Sequence, residues 1–329
     1  MDAHTHAMPL TFLRLLRDRG LADLSSLAEG YVRIDPAVAG VAAGSRIPCP
    51  PSMWDVAARS SDPARPAVGR DVVAAPPFLF AADVTDDVTA ADLVARSNDA
   101  LAEFVAPARD RFLPLGTVPV GRRAAVAEAA RVIDSLGFVG VTLGTTGAAR
   151  DLDDPVNEPL WSWLAERRVP VLLHPTGAPA PQRMRDFHLT QLLGYPVETA
   201  IAAARLIFSG VLDRHDLSIV LCHGGGCLPS LTPRLDLGWQ RKEVARTTPT
   251  PPSSYLGRFW FDTATFDDAA LRALIDRVGA DHVLLGTDYP FDLGDTDGVA
   301  RVERLGLDPD RSRSVLGGTA AGLFGLAPP

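Results

Sequence analysis

From about residue 70 onward, short β-branched or apolar runs alternate with longer segments of helical periodicity, which is the pattern of repeated βα units around a parallel sheet. The runs predict strands at Asp71–Ala75, Arg111–Val118, Gly137–Leu143, Val169–Leu173, Leu217–Leu221, Phe259–Asp262 and His282–Gly286. A very short first strand at Met1–His6 makes eight. Helices are predicted between them at Ala90–Ala106, Arg122–Leu136, Glu158–Arg168, Val197–Leu212 and Asp267–Val278, many opened by Asp, Asn or Pro and closed by Gly. In Val197–Leu212 the residues Ile201, Ala204, Phe208 and Leu212 recur at spacings of three and four, so this stripe is expected to pack on the sheet. The fold class is therefore α/β, a (β/α)8 TIM barrel with a small insertion subdomain between strands 1 and 2.

The insertion follows from distance along the chain. Residues from about 8 to 70 separate the first two strands by far more than one helix and a loop. They hold one helix-like run at Pro9–Arg19, a short strand at Tyr31–Ile34, and a Pro- and Gly-rich remainder ending near Pro66. The expectation is one barrel domain over 1–329, with 20–66 as a subdomain over its mouth.

Composition changes this picture mainly by exclusion. At 329 residues the chain is long for one domain, but a barrel with insertions reaches that size. A formal net charge of −8 argues against a nucleic-acid partner, which needs a clustered basic surface. The only lysine, Lys242, follows Arg241 and no glycine-rich turn, so there is no Walker-type phosphate loop. The start, Met-Asp-Ala-His, has neither a basic region nor a long apolar stretch, and no apolar run approaches the roughly 20 residues of a membrane span. A cytoplasmic protein with no membrane partner is expected. Cys49, Cys222 and Cys227 are too few and too irregular for a disulfide framework and read as small buried apolar residues.

The candidate chemistry lies at strand ends. Asp2-Ala3-His4-Thr5-His6 puts two imidazoles at i and i+2, which in a strand places both on one side. His174, His223 and Asp288 each follow a predicted strand, at the rim where barrel enzymes build their sites. His188, His215 and His282 lie in loop or helix-end contexts and are expected to be structural or solvated. Three imidazoles and a carboxylate suit Zn²⁺ or another divalent first-row ion and would draw the pKa of a bound water towards about 7. A histidine outside the ligand set could then carry the proton, the role assigned to His223. No lysine lies on a predicted strand, so a carboxylated-lysine bridge between two ions is not available.

These residues resemble the amidohydrolase superfamily, in the branch typified by 2-amino-3-carboxymuconate 6-semialdehyde decarboxylase. The likeness runs through Gly137-Phe138-Val139-Gly140-Val141, His174-Pro175, Tyr195-Pro196-Val197-Glu198-Thr199, His223-Gly224-Gly225-Gly226 and Leu285-Gly286-Thr287-Asp288-Tyr289-Pro290-Phe291. It implies non-oxidative decarboxylation, with metal ligands His4, His6, His174 and Asp288, and with His223 and Asp288 as the catalytic pair. It implies one divalent metal per chain, Zn²⁺ as the first expectation and Mn²⁺ as the alternative. Arg234 matches an arginine that reaches a substrate carboxylate in the neighbouring subunit, which implies a homodimer. The resemblance also puts Phe291, Trp54, Arg46 and Thr176 at the substrate. Here Pro50 replaces an arginine four residues before Trp54-Asp55, leaving Arg46 nearby, and Thr176 stands where a tryptophan would follow His-Pro. Those departures point to a different small carboxylate, such as a hydroxybenzoate- or salicylate-type acid. A metal-dependent hydrolase of a lactone, ester or amide is the alternative, and a metal-free binding barrel a further one.

Overall fold

Strand alternation sorts the apolar residues into two layers. Val171 and Leu173 pack with Ile219 and Leu221 in the large cluster that includes the outer helices, whereas Leu172, Val220 and Cys222 belong to a separate inner cluster with Val72, Ala74 and Leu115. Both layers are buried, so the strands read as near-continuous apolar runs. The computed structural model describes residues 1–326 apart from Ala64 and Pro66. The expected end of the insertion at Pro66 and the terminal Ala327-Pro328-Pro329 lie outside the described residues.

The eight-stranded sheet runs β1 (Asp2–His6), β2 (Asp71–Ala74), β3 (Phe112–Thr117), β4 (Gly140–Gly144), β5 (Val171–His174), β6 (Ile219–Leu221), β7 (Phe259–Asp262) and β8 (Val283–Leu284), in sequence order. Every paired neighbour is parallel. The first strand and the chain leaving the last are joined by Ala3 N to Leu285 O at 2.8 Å, Asp288 N to His4 O at 2.9 Å and His6 N to Tyr289 O at 2.7 Å. Those bonds close the sheet into a (β/α)8 barrel. No helix among the described residues is long and apolar enough to cross a membrane.

Element limits differ from expectation where glycines intervene. Strand β4 starts at Gly140 rather than Gly137, because Gly137 takes φ +66° and Phe138 N–H turns back to Val132 O at 3.0 Å. The helix expected at Val197–Leu212 runs Tyr195–Phe208 and stops before Gly210, whose φ is +71°. Its buried stripe is also different: Ala203, Leu206 and Ile207 face the barrel, while Ile201 is exposed and Ala204 and Phe208 are only half-buried. Two stripes share the same period here, and the one with Ala203, Leu206 and Ile207 is the buried one.

Between β1 and β2 lie a helix at Leu10–Asp18 and a three-stranded antiparallel sheet of Ala22–Asp23, Tyr31–Ile34 and Ile47–Pro48. Phe12, Leu13, Leu16, Val32 and Met53 of this segment form one apolar cluster with Phe78, Leu79 and Leu93 beyond β2. The segment therefore packs on the barrel through a continuous core.

Trp161 is buried in the outer layer and donates its indole N–H to Leu152 O at 3.0 Å. Trp161→Ala should cost about 3–5 kcal/mol of stability through lost apolar burial and the cavity left behind. Urea unfolding followed by circular dichroism measures it, and a loss below about 1 kcal/mol would contradict this packing.

Candidate functional site

His4 and His6 end β1, His174 ends β5, His223 follows β6, and Asp288 follows β8, so all five stand on one rim. One donor atom each from His4, His6, His174 and Asp288 lies within 4.8 Å of the others. His4 Nε2 is 3.1 Å from His6 Nε2, and Asp288 Oδ1 is 3.3 Å from His4 Nε2 and 2.9 Å from His6 Nε2. Ligand arms of about 2.1 Å at 90–109° produce edges of about 3.0–3.4 Å, so this spacing suits a shared ion.

Two hydrogen bonds set the rings. His4 Nδ1 pairs with Asp262 Oδ2 at 2.7 Å, which turns Nε2 inward. His174 Nδ1 donates to Pro175 O at 2.9 Å, which leaves Nε2 as the lone-pair nitrogen, buried and without a partner. Asp262 also accepts the backbone N–H groups of His223 at 2.9 Å and Gly224 at 2.7 Å. One carboxylate at the end of β7 thus orients His4 and the loop that carries His223. Sequence reasoning missed Asp262, although it too ends a predicted strand.

Burial and neighbouring charges shift these groups in opposite directions. Burial opposes a charged His4, but Cys222, Asp288 and Asp262 raise its pKa well above the ordinary value. Burial and the His6, His4 and His223 rings hold His174 well below that value. Burial would raise Asp288, yet His4, His223 and His6 outweigh it and hold the carboxyl well below the usual range. Asp288 is thereby held as a carboxylate beside a neutral His174 ring.

His223 and Asp288 have φ of +58° and +59°, a left-handed conformation that non-glycine residues seldom adopt. His223 Nε2 stands 3.6 Å from Asp288 Oδ2, and its Nδ1 is buried without a partner. The three glycines after it also have positive φ. At Gly226 an added Cβ would lie 1.9 Å from Pro196 O.

Both residues line a cavity of about 1600 Å³. Its apolar wall near the histidines carries Phe291, whose ring is 5.3 Å from His6 and edge-on to Phe78 at 5.9 Å. Thr176 lines the cavity beside Thr146, with their hydroxyls 3.3 Å apart. Arg46 lines it too, over the Tyr31 ring at 4.1 Å and bonded to Glu29 at 3.1 Å. Trp54 and Arg234 are elsewhere: Trp54 is half-buried in the apolar cluster of the β1–β2 segment, and Arg234 is exposed on the helix Leu228–Arg241.

Of the remaining histidines, His215 pairs with Glu158 at 2.8 Å, and His282 bonds Phe259 O and stacks on Trp260. His188, read from its loop context as structural or solvated, is exposed but lines the cavity mouth. All three cysteines are free; Cys49 and Cys222 are buried, whereas Cys227 is half-buried. Glu198, another cavity residue not anticipated, has its pKa raised by burial and by Asp151.

The amidohydrolase family profile matches residues 1–326. A 2-amino-3-carboxymuconate-6-semialdehyde decarboxylase of Dictyostelium discoideum is 32% identical over 282 residues, covering 84% of this chain and 78% of that protein. A gamma-resorcylate decarboxylase of Rhizobium sp. (strain MTP-10005) is 34% identical over 230 residues, covering 64% of this chain and 69% of the relative. The crystal structure of 2,6-dihydroxybenzoate decarboxylase from Rhizobium has a TM-score of 0.71 at 28% identity, covering 83% of this chain and 89% of that one. The apo form of Metarhizium anisopliae IDCase has a TM-score of 0.81 at 24% identity over 98% and 96% of the two chains, a likeness of fold.

Gly226→Ala should damage this site, since the new methyl group meets main chain and the backbone angle disfavours it. A fall in unfolding temperature of at least about 4 °C is expected by differential scanning calorimetry, and an unchanged temperature would contradict the loop geometry.

Proposed function

The chain belongs to the amidohydrolase family, in the branch typified by 2-amino-3-carboxymuconate 6-semialdehyde decarboxylase, and on that premise we propose that it is a metal-dependent, non-oxidative decarboxylase of a small aromatic or unsaturated carboxylic acid. The observation that carries this reading is the convergence of His4, His6, His174 and Asp288 with His223 against an aromatic cavity wall. The donor set fits a divalent ion: three imidazoles and a carboxylate oxygen, with His174 Nε2 and Asp288 Oδ1 buried and otherwise unbonded. We assign those four as the ligands, with Zn²⁺ the first choice and Mn²⁺ the alternative. When bound, the ion supplies positive charge that orients the substrate's oxygen atoms and stabilises charge developing on them.

The rest falls to the side chains. His223, at the cavity and close to Asp288 Oδ2, holds the proton and delivers it towards the substrate carbon bearing the carboxylate. Once that carbon is protonated, its bond to the carboxylate breaks, the bonding pair returns to the π system, and CO2 leaves. Asp288 serves both partners, with Oδ1 towards His4 and His6 and Oδ2 towards His223. Phe291 and Phe78 offer a flat apolar surface to a ring, and Thr176 and Arg46 offer polar contacts. The decarboxylase names of the relatives favour loss of CO2 over hydrolysis.

We further read residues 20–66 as a subdomain over the barrel mouth, since Tyr31, Arg46 and Ile47 line the cavity. Arg234, exposed and outside its own cavity, suits a contact in the neighbouring subunit's site of a homodimer. A cytoplasmic location accompanies this reading.

Elemental analysis of purified protein should find about one divalent ion per chain. A screen of hydroxybenzoates and unsaturated acids should detect CO2 release, and metal without CO2 from any of them would move the assignment to hydrolysis. His223→Ala should retain the metal and lose about 10²–10⁴-fold in turnover, and a fully active variant would remove its assigned role. His174→Ala should lose both metal and turnover.

A further inference from the structure

Among the described residues Arg59 is the most deeply buried arginine, and nothing in the proposed chemistry gives it a task. It lies on the short helix Val56–Ser60, outside the barrel, in the segment between β1 and β2. Its guanidinium reaches back to the end of β1. Nη1 donates to His6 O at 2.7 Å and is 3.5 Å from Ser52 O, Nη2 donates to Thr5 Oγ1 at 2.7 Å, and Nε donates to Asp71 Oδ2 at 3.1 Å. Nη2 is also 3.0 Å from that carboxylate oxygen. The planar fork thus spends its donors on three elements at once, a geometry that a point-charge ammonium cannot copy.

Two of those contacts fall beside candidate metal ligands. His6 N–H is held by Tyr289 O at 2.7 Å, and the next residue's N–H, of Ala7, by Ala74 O at 3.0 Å. Arg59 takes the remaining polar group, the His6 carbonyl, and so completes the restraint on that stretch of backbone. Its guanidinium also lies 4.9 Å from the centre of the Tyr289 ring, next to Asp288. One cation therefore touches both sides of the seam across which His6 Nε2 faces Asp288 Oδ1 at 2.9 Å.

We propose that Arg59 is a positioning residue for the metal centre, coupling the β1–β2 segment to the placement of His6 and Asp288. It touches neither substrate nor ion and acts through the backbone of the ligand-bearing strand. This inference rests on the metal site assigned above. Partners of ligand residues commonly change metal affinity by about 10–100-fold when altered, and the same range is expected here.

The test compares metal-free wild type with Arg59→Lys, which keeps a positive charge beside Asp71 and loses the fork. Dissociation constants for Mn²⁺ and Zn²⁺ are measured by competition with a chromophoric chelator, and the Co²⁺-loaded proteins are compared by visible absorption. Binding about 10–100-fold weaker, with an altered Co²⁺ spectrum and unchanged circular dichroism, supports the proposal. Dissociation constants within about twofold and superimposable spectra overturn it, even if the variant melts earlier, because a purely structural role would move only the melting. Should Arg59→Lys not fold, Thr5→Val removes one end of the same tie: metal binding at least about threefold weaker supports the inference and unchanged binding overturns it. Wild type that binds none of the three ions would overturn the metal reading itself, whereas wild type and variant binding alike would overturn only the role of Arg59.

Discussion

Three backbone hydrogen bonds at the seam of the barrel, Ala3 to Leu285, Asp288 to His4 and His6 to Tyr289, join the first strand to the chain leaving the last. They are ordinary in strength, each worth roughly 0.5–1.5 kcal/mol net. Their effect is geometric: they place an aspartate from near residue 290 against two histidines from the first ten residues. The surroundings reinforce the seam. Asp2 accepts from Thr287 through both backbone and hydroxyl, at 3.1 Å and 2.5 Å, and Arg65 bridges Asp2 and Asp71. Buried charges of this kind persist only when their hydrogen bonds are satisfied, and here they are paired across the same junction.

The cluster on the rim is the opposite case. Imidazole nitrogens and a carboxylate oxygen face one another at close spacing, and His174 Nε2 is buried without a hydrogen-bond partner. Asp262 holds the His4 ring so that Nε2 faces the centre of the cluster, where the proposed ion would sit. The same aspartate gathers the backbone behind His223, where a left-handed histidine and three glycines wrap tightly around the end of β6. Strain on the loop and order in the ligand set thus share one anchor.

The cavity opens beside this centre. Its aromatic wall belongs to Phe78 and Phe291, from the loops after β2 and β8, while its outer polar rim includes Arg46 from the segment between β1 and β2. Membership in the amidohydrolase family accounts for the barrel and the strand-end histidines. Pro50 and Thr176 are where this chain departs from the type pattern, and Thr176 and Arg46 both line the cavity.

Much of this was legible in the sequence because continuous apolar runs and strand-end polar residues are local signals. Eight strands, the His-x-His pair, and His174, His223 and Asp288 at strand ends could be read from their immediate neighbours. Even so, the stripe chosen on the helix after β5 was the less buried one, with Ile201 exposed and Ala204 and Phe208 half-buried though Leu212 is buried, because two stripes of equal period cannot be ranked without the surface they meet. Asp262 was overlooked despite a correct strand limit, since its task is defined by His4, 258 residues away. Arg59 carried no local signal at all. By itself, the sequence determined the barrel's elements and which residues could ligate or transfer protons. Only the tertiary structure decided which of them meet, which face turns inward and which buried charge braces the seam, because those depend on closure of the sheet between its two ends.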